Sequence, residues 1–229
     1  MRPVLPVPLI QVAGVLDSTE ASMLCAAGFD WLGIPLRLPV HTEDVNDDEA
    51  KTIFSGLPGT RAGILITYLD RSAEIAALCR KLGVKHVQLH GAIAREELQR
   101  LRQTAADLFV LKSLVVRSGN ESHLARTIDQ LSPWVDGFIT DTFDPRTGAE
   151  GATGMTHDWD TSRHLVDLSP LPVILAGGLT PQNVRSAILH VRPAGVDTHT
   201  GIEAPDGRKS QAAAARFVRE ARKGFGEII

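Results

Sequence analysis

Arg61-Ala62-Gly63-Ile64-Leu65-Ile66-Thr67 is followed by Ser72 to Leu82, then Gly83, then His86-Val87-Gln88-Leu89-His90. The two outer runs are short and bounded by loop residues, as buried strands are. The segment between them reads as a helix, and Gly83 suits its C-terminal cap. Strand, helix and strand in about 30 residues is the scale of one βαβ unit, whose strands must pair in parallel.

The same alternation extends in both directions. Upstream lie a strand at Leu9-Ile10-Gln11-Val12-Ala13, a helix from Thr19 to Ala27 closed by Gly28, a strand from Phe29 to Pro35, and an acidic-headed helix from Asp44 to Ser55. Downstream come a helix over Arg95 to Ala105, a strand over Leu108 to Ser113, a helix over Glu121 to Leu131, and a strand over Val135 to Thr140. A Gly/Thr/Asp-rich loop from Asp141 to His157 precedes a short helix at Asp160 to Leu168. A strand at Pro172 to Leu175, a helix at Pro181 to Leu189 with Pro in its first turn, a strand at Ala194 to Thr198 and a helix at Ser210 to Arg222 complete the pattern. Eight units in 229 residues are about 29 residues each. This predicts a single-domain (β/α)8 TIM barrel over residues 1–229. An open doubly wound sheet is the structural alternative, but no G-x-G-x-x-G follows the first strand.

Composition agrees. With 43% hydrophobic and 22% charged residues the chain can fill a core, which excludes an intrinsically disordered protein. A net charge of −3 without a basic block argues against nucleic acid as a partner. No apolar run reaches the roughly 18 residues of a membrane span. Met1 to Ile10 lacks the pattern of a signal peptide, and a cytoplasmic location is expected. Cys25 and Cys79 are read as small buried hydrophobes rather than as a disulfide framework.

Barrel chemistry sits where strands end. At the seventh strand the chain runs Leu175-Ala176-Gly177-Gly178-Leu179-Thr180-Pro181, and glycines there let backbone N–H groups approach an anion. At the eighth it runs Gly195-Val196-Asp197-Thr198-His199-Thr200-Gly201, placing Thr200 and Gly201 just past the strand. Loops after the last two strands share a phosphate site in many barrels. Asp141 stands at the end of the sixth strand, where a carboxyl can serve as a general acid. Behind it, Gly148 to Gly154 has the composition of a loop that can fold over a ligand.

Taken in order, Gln88-Leu89-His90-Gly91, Asp141, the run Gly151 to Trp159, the run Leu175 to Val184 and the run Gly195 to Glu203 resemble the phosphoribosylanthranilate isomerase family. The likeness is dense from about Val84 onward. It implies a cofactor-free Amadori rearrangement of a phosphorylated aldosylamine to an aminoketose. By resemblance Asp141 is the acid, and Gly154, Gly177, Gly178, Thr200 and Gly201 hold the phosphate. Arg37 resembles the arginine that binds the anthranilate carboxylate.

One departure stands out. The family's first strand ends in Lys-Ile-Cys-Gly-Ile, whose Cys is the general base, and here the run is Gln11-Val12-Ala13-Gly14-Val15. Ala13 cannot take a proton. His199 stands where the family has Ser, and a closed barrel places the eighth strand beside the first. His199 is therefore a candidate base, with Asp197 two residues earlier on the same side. Two other readings stay open: a relative acting on another sugar phosphate as isomerase, epimerase or lyase, and a phosphate-ligand binding protein without catalysis. His41, His90, Asp141, Asp144, His157 and His199 show no metal-ligand spacing, so no metal is expected. Lys112 invites a Schiff base, but the family carries a lysine in this strand without that chemistry. The expected partner is a small phosphorylated sugar, and the expected state a monomer or homodimer.

Overall fold

A computed structural model describes residues 3–39, 43–142 and 158–228. Its strands are β1 (Leu9–Ala13), β2 (Trp31–Leu36), β3 (Ala62–Thr67), β4 (His86–Leu89), β5 (Phe109–Val116), β6 (Gly137–Thr142), β7 (Val173–Leu175) and β8 (Gly195–Thr198). Between and after them run α1 (Ser18–Ala27), α2 (Asp47–Ser55), α3 (Ser72–Leu82), α4 (Arg95–Thr104), α5 (Glu121–Leu131), α6 (Trp159–Leu168), α7 (Val184–Val191) and α8 (Gln211–Ile228). All neighbouring strands pair in parallel, and β8 returns to β1, so the sheet closes as an eight-stranded barrel. Both faces of such a sheet are covered, which is why its strands read as nearly continuous apolar runs.

Alternate strand residues point inward. Leu9, Trp31, Ile64, Phe109, Leu111, Ile139, Ile174 and Ala176 pack together inside the barrel, with Leu5 from the N-terminal segment joining them. The Trp31 ring lies 4.5 Å from His86 and 5.3 Å edge-on to Phe109, which makes an aromatic plug in the lower barrel. Burial drives the His86 imidazole down to about 4, so it stays neutral within the plug. The outward set, including Leu32, Ile34, Leu65, Val87, Val110 and Phe138, packs with the helices in a second and larger core. Phe29 stacks on Phe217 at 6.0 Å and so fixes α8 over the chain between α1 and β2.

Element ends differ from the sequence expectation where side chains intervene. The seventh helix starts at Val184, not Pro181. The Asn183 amide donates to the Gly178 carbonyl and its oxygen accepts from Thr180 N–H, which holds residues 180–183 as a turn. α2 starts at Asp47 behind an Asn46–Glu49 capping box rather than at Asp44. β6 runs on to Thr142, so Asp141 lies within the strand. Lys112 belongs to the outward set, and its ammonium donates to the carbonyls of Leu89 and Ser113. That placement removes the Schiff-base option. Among the described residues no helix is long and apolar enough to cross a membrane.

Trp31→Ala should empty the plug and lower the unfolding free energy by about 3–5 kcal/mol in urea titrations. A loss below about 1 kcal/mol would mean that the lower barrel collapses around the gap.

Candidate functional site

Above the apolar layers the interior turns polar. Gln11 on β1 donates to Gln88 on β4 at 3.0 Å, across the buried interior. β1 and β8 pair Gln11 with Asp197. β6–β7 pairing sets Ile139 beside Ile174, and β7–β8 pairing sets Ile174 beside Gly195. One pleat further up, the same registers put Asp141 beside Ala176 and Ala176 beside Asp197. The two carboxyls thus share a layer of the barrel, separated by a methyl side chain.

Their surroundings differ. Asp141 Oδ2 lies 2.9 Å from His90 Nε2, and Oδ1 accepts the Thr142 N–H at 2.7 Å. His90 is positioned by its own N–H on the Thr67 carbonyl and by Tyr68, whose ring lies 5.1 Å away. Asp197 is buried, and its Oδ1 has no partner among the described residues. Burial first, and then the charge of Asp141, push the Asp197 carboxyl up to about 7. The Gln11 amide and the Lys209 charge oppose that rise without cancelling it.

Gln11 Oε1, His90 Nδ1 and Ser113 Oγ also lack partners among the described residues. Buried polar atoms are nearly always paired. Gln11, Ser113 and Asp197 occupy inward strand positions, and His90 reaches Asp141 from the end of β4, so a cluster of unpaired groups is what a polar ligand would satisfy.

The rim adds the anion-binding turns. Gly177 and Gly178 have φ of 105° and 61°, a left-handed region that side chains disfavour. A Cβ on Gly201 would run into the Leu179 carbonyl, so the β7 and β8 loops touch. Thr198 Oγ1 also donates to that carbonyl at 2.8 Å. The two glycine turns therefore lie side by side, with Thr200 opening the 3-10 turn Thr200–Ile202.

Ala13 ends β1 with its methyl buried. The His199 imidazole fills the space that a Cβ on Gly14 would take, so the structure brings His199 over the end of β1. Its Nε2 lies 3.5 Å from Glu203 Oε1. Burial, then the Lys209 charge, lower it to about 4, while Glu203 and Asp141 pull the other way. Cys25 and Cys79 sit on α1 and α3. Burial raises both thiols, Cys79 to about 12.

Arg37 follows β2 at the rim with φ of 62°. Its guanidinium pairs with Asp47 at 2.8 Å and Glu43 at 3.4 Å, and its N–H also meets Glu43. With Arg37 first and Lys81 second, these pairs hold the Asp47 carboxyl down at about 2. The contacts of Arg37 thus run toward α2, away from the Asp141 layer. Gly154, His41, Asp144, His157 and the loop Gly148 to Gly154 lie outside the described residues. Among the described residues no group of three or more His, Cys, Asp or Glu is arranged for a metal ion.

The family model of N-(5'-phosphoribosyl)anthranilate (PRA) isomerase matches residues 35–220. This chain belongs to the PRA isomerase family. A curated relative named N-(5'-phosphoribosyl)anthranilate isomerase, from Haloferax volcanii, is 38% identical over 220 residues, 96% of this chain and 95% of the relative. A second, N-(5'-phosphoribosyl)anthranilate isomerase 2 of Methanosarcina mazei, is 34% identical over 220 residues and 96% of each chain. The solved phosphoribosyl anthranilate isomerase of Thermotoga maritima superposes with a TM-score of 0.80 at 25% identity, over 94% of this chain and 99% of that one.

Within this PRA isomerase-family barrel, sequence reasoning singled out Asp141, Asp197 and His199. It gave no role to Gln11, Gln88 and Ser113, although Gln11 interrupts an otherwise apolar strand. A polar residue at a fully buried strand position is the signal that finds it.

The raised Asp197 value has a measurable consequence. The stability tied to its proton is complete below the unfolded value of 3.8 and is lost as pH rises through about 7. Asp197→Asn removes the charge at nearly constant shape. Its stability advantage over the native chain should grow between about pH 5 and about pH 8 in denaturant titrations. A constant difference across that range would show that Asp197 ionises as freely as an exposed carboxyl.

Proposed function

We propose that this protein isomerises N-(5'-phosphoribosyl)anthranilate by acid–base catalysis. The observation that carries the reading is the Asp141–Asp197 layer beside two touching glycine turns, in a chain of the PRA isomerase family. The substrate phosphate rests on backbone at Gly177, Gly178, Thr200 and Gly201. Gly154 joins them through the family resemblance. Arg37 takes the anthranilate carboxylate by exchanging it for Asp47 and Glu43, a swap of one carboxylate partner for another.

The ribose then lies over the polar layer. Burial and the charge of Asp141 push the Asp197 carboxyl up to about 7, so the layer keeps a proton on Asp197 into the neutral range. Asp141 relays a proton to the ring oxygen as the bond from this oxygen to C1 breaks. His199, packed on Gly14 just past the end of β1, takes the proton from C2, and the freed electron pair forms the C1–C2 double bond of an enolamine. Return of a proton at C1 and loss of the enol proton give the aminoketose, so atoms and charge balance without a cofactor. The phosphorylated sugar is thus the partner, and no step calls for nucleic acid or a membrane. A protein that only bound a dianion would gain nothing from a second carboxyl at its mouth, because like charges repel the ligand.

The test is growth. The native gene should restore a tryptophan auxotroph lacking this isomerase, and Asp141→Asn should fail to do so. With purified protein, Asp141→Asn should lower kcat by about 10²–10⁴-fold. Undiminished turnover in that variant would overturn the assignment of the acid.

A further inference from the structure

His199 does not stand alone. Beyond β8, Glu203 and Lys209 pair as an isolated antiparallel bridge, which brings both side chains back toward the rim. Lys209 Nζ lies 2.6 Å from Glu203 Oε1, and the Lys209 side chain is only 1% exposed. The same Oε1 lies 3.5 Å from His199 Nε2. Lys209 is anchored in turn, because its backbone N–H donates at 2.8 Å to Glu20 Oε1 on α1. The other Glu20 oxygen accepts the Leu16 N–H at 2.9 Å, in the loop that follows Gly14. The buried Glu20 carboxylate therefore clamps the β1 loop to the Lys209 backbone, and the half-buried Glu203 carboxylate lies between Lys209 and the imidazole.

We infer that Glu203 is the positioning residue of a Lys209–Glu203–His199 relay, which orients the imidazole to replace the thiol base missing at Ala13. The inference rests on the reading of His199 as base. Glu203 Oε1 is the carboxylate oxygen that faces Nε2, at 3.5 Å, so it favours the tautomer with the proton on Nε2 and leaves Nδ1 as the acceptor. When Nδ1 takes the C2 proton, the carboxylate offsets the new imidazolium charge. Lys209 holds the carboxylate in place and, as a cation, restrains the basicity it confers. The charged or titratable groups facing His199 are these two, from beyond β8, and Asp141 from β6. Just past β1 the facing residue is Gly14, which carries no charge.

This arrangement makes opposed demands of two variants. Removing the Glu203 charge makes His199 easier to deprotonate, and removing the Lys209 charge makes it harder. In Glu203→Gln the acid limb of kcat should move to lower pH, and in Lys209→Met to higher pH. Glu203→Ala should lose about 10–100-fold in kcat with KM within about threefold, and Glu203→Gln should recover part of that loss because its amide oxygen still accepts the Nε2–H. Nitrogen-15 NMR of the full chain, with His199 assigned by comparison with His199→Gln, reads the tautomer directly and needs no turnover.

The expected result is the Nε2–H tautomer in the native chain, with His199 titration shifts of opposite sign in Glu203→Gln and Lys209→Met. An Nδ1–H tautomer, or shifts of the same sign, would overturn the relay even in an active isomerase. Unchanged turnover in His199→Ala would overturn it as well, by removing the base it serves. Should the native chain show no turnover while the tautomer and the opposed shifts hold, the isomerase reading fails and the relay stands. If Lys209→Met does not fold, the native tautomer and the Glu203→Gln limb still decide the matter.

Discussion

Two carboxyls share one layer of a closed barrel, and much of the upper structure answers that constraint. Asp141 and Asp197 are two strands apart with the methyl of Ala176 between them. Both are largely buried, because barrel closure aims alternate residues inward. Burial and the neighbouring Asp141 charge make a second negative charge costly there, and the Asp197 carboxyl is pushed up to about 7. His90, the Thr142 N–H and the Gln11–Gln88 pair give the layer its fixed dipoles. Such groups matter most when placed in advance, since they need not reorganise while charge moves.

The barrel divides its labour along the axis. Its lower half is an apolar stack that includes Trp31, Phe109, Leu111 and Ile174, and it resists deformation. The upper half leaves Gln11 Oε1, His90 Nδ1, Ser113 Oγ and Asp197 Oδ1 unpaired among the described residues. Such orphans are tolerated because the rigid stack and the surrounding helix layer hold the strands in place. A ligand that satisfies them gains hydrogen bonds at groups already held in place.

At β1 and β8 the same logic extends to an unusual pairing of residues. The methyl of Ala13 ends the first strand, and an imidazole from just beyond the eighth covers Gly14. The arrangement is sterically coherent, since a histidine over this spot requires a residue without Cβ at position 14. Glu203, 3.5 Å away, opposes the lowering that burial and the Lys209 charge impose on that imidazole.

The barrel itself was legible in the sequence. Eight apolar runs alternating with helical segments admit few architectures, since parallel strands need crossovers and the crossovers bury both faces of the sheet. Asp141 and the two glycine turns were legible for the same reason: they stand at strand ends, and strand ends are where a barrel opens. That Ala13 takes no part in proton transfer was legible too, because a methyl group has no proton chemistry. What only the tertiary structure decided is who faces whom. That Gln11 meets Gln88, 77 positions away, depends on closure and register. So does the neighbourhood of Asp141 and Asp197, the seat of His199 on Gly14, and the capture of Arg37 by Glu43 and Asp47. A linear pattern specifies which way a residue points within its own strand. Distances between strands, and the charge state that burial imposes on Asp197, arise only when all eight strands close on one another.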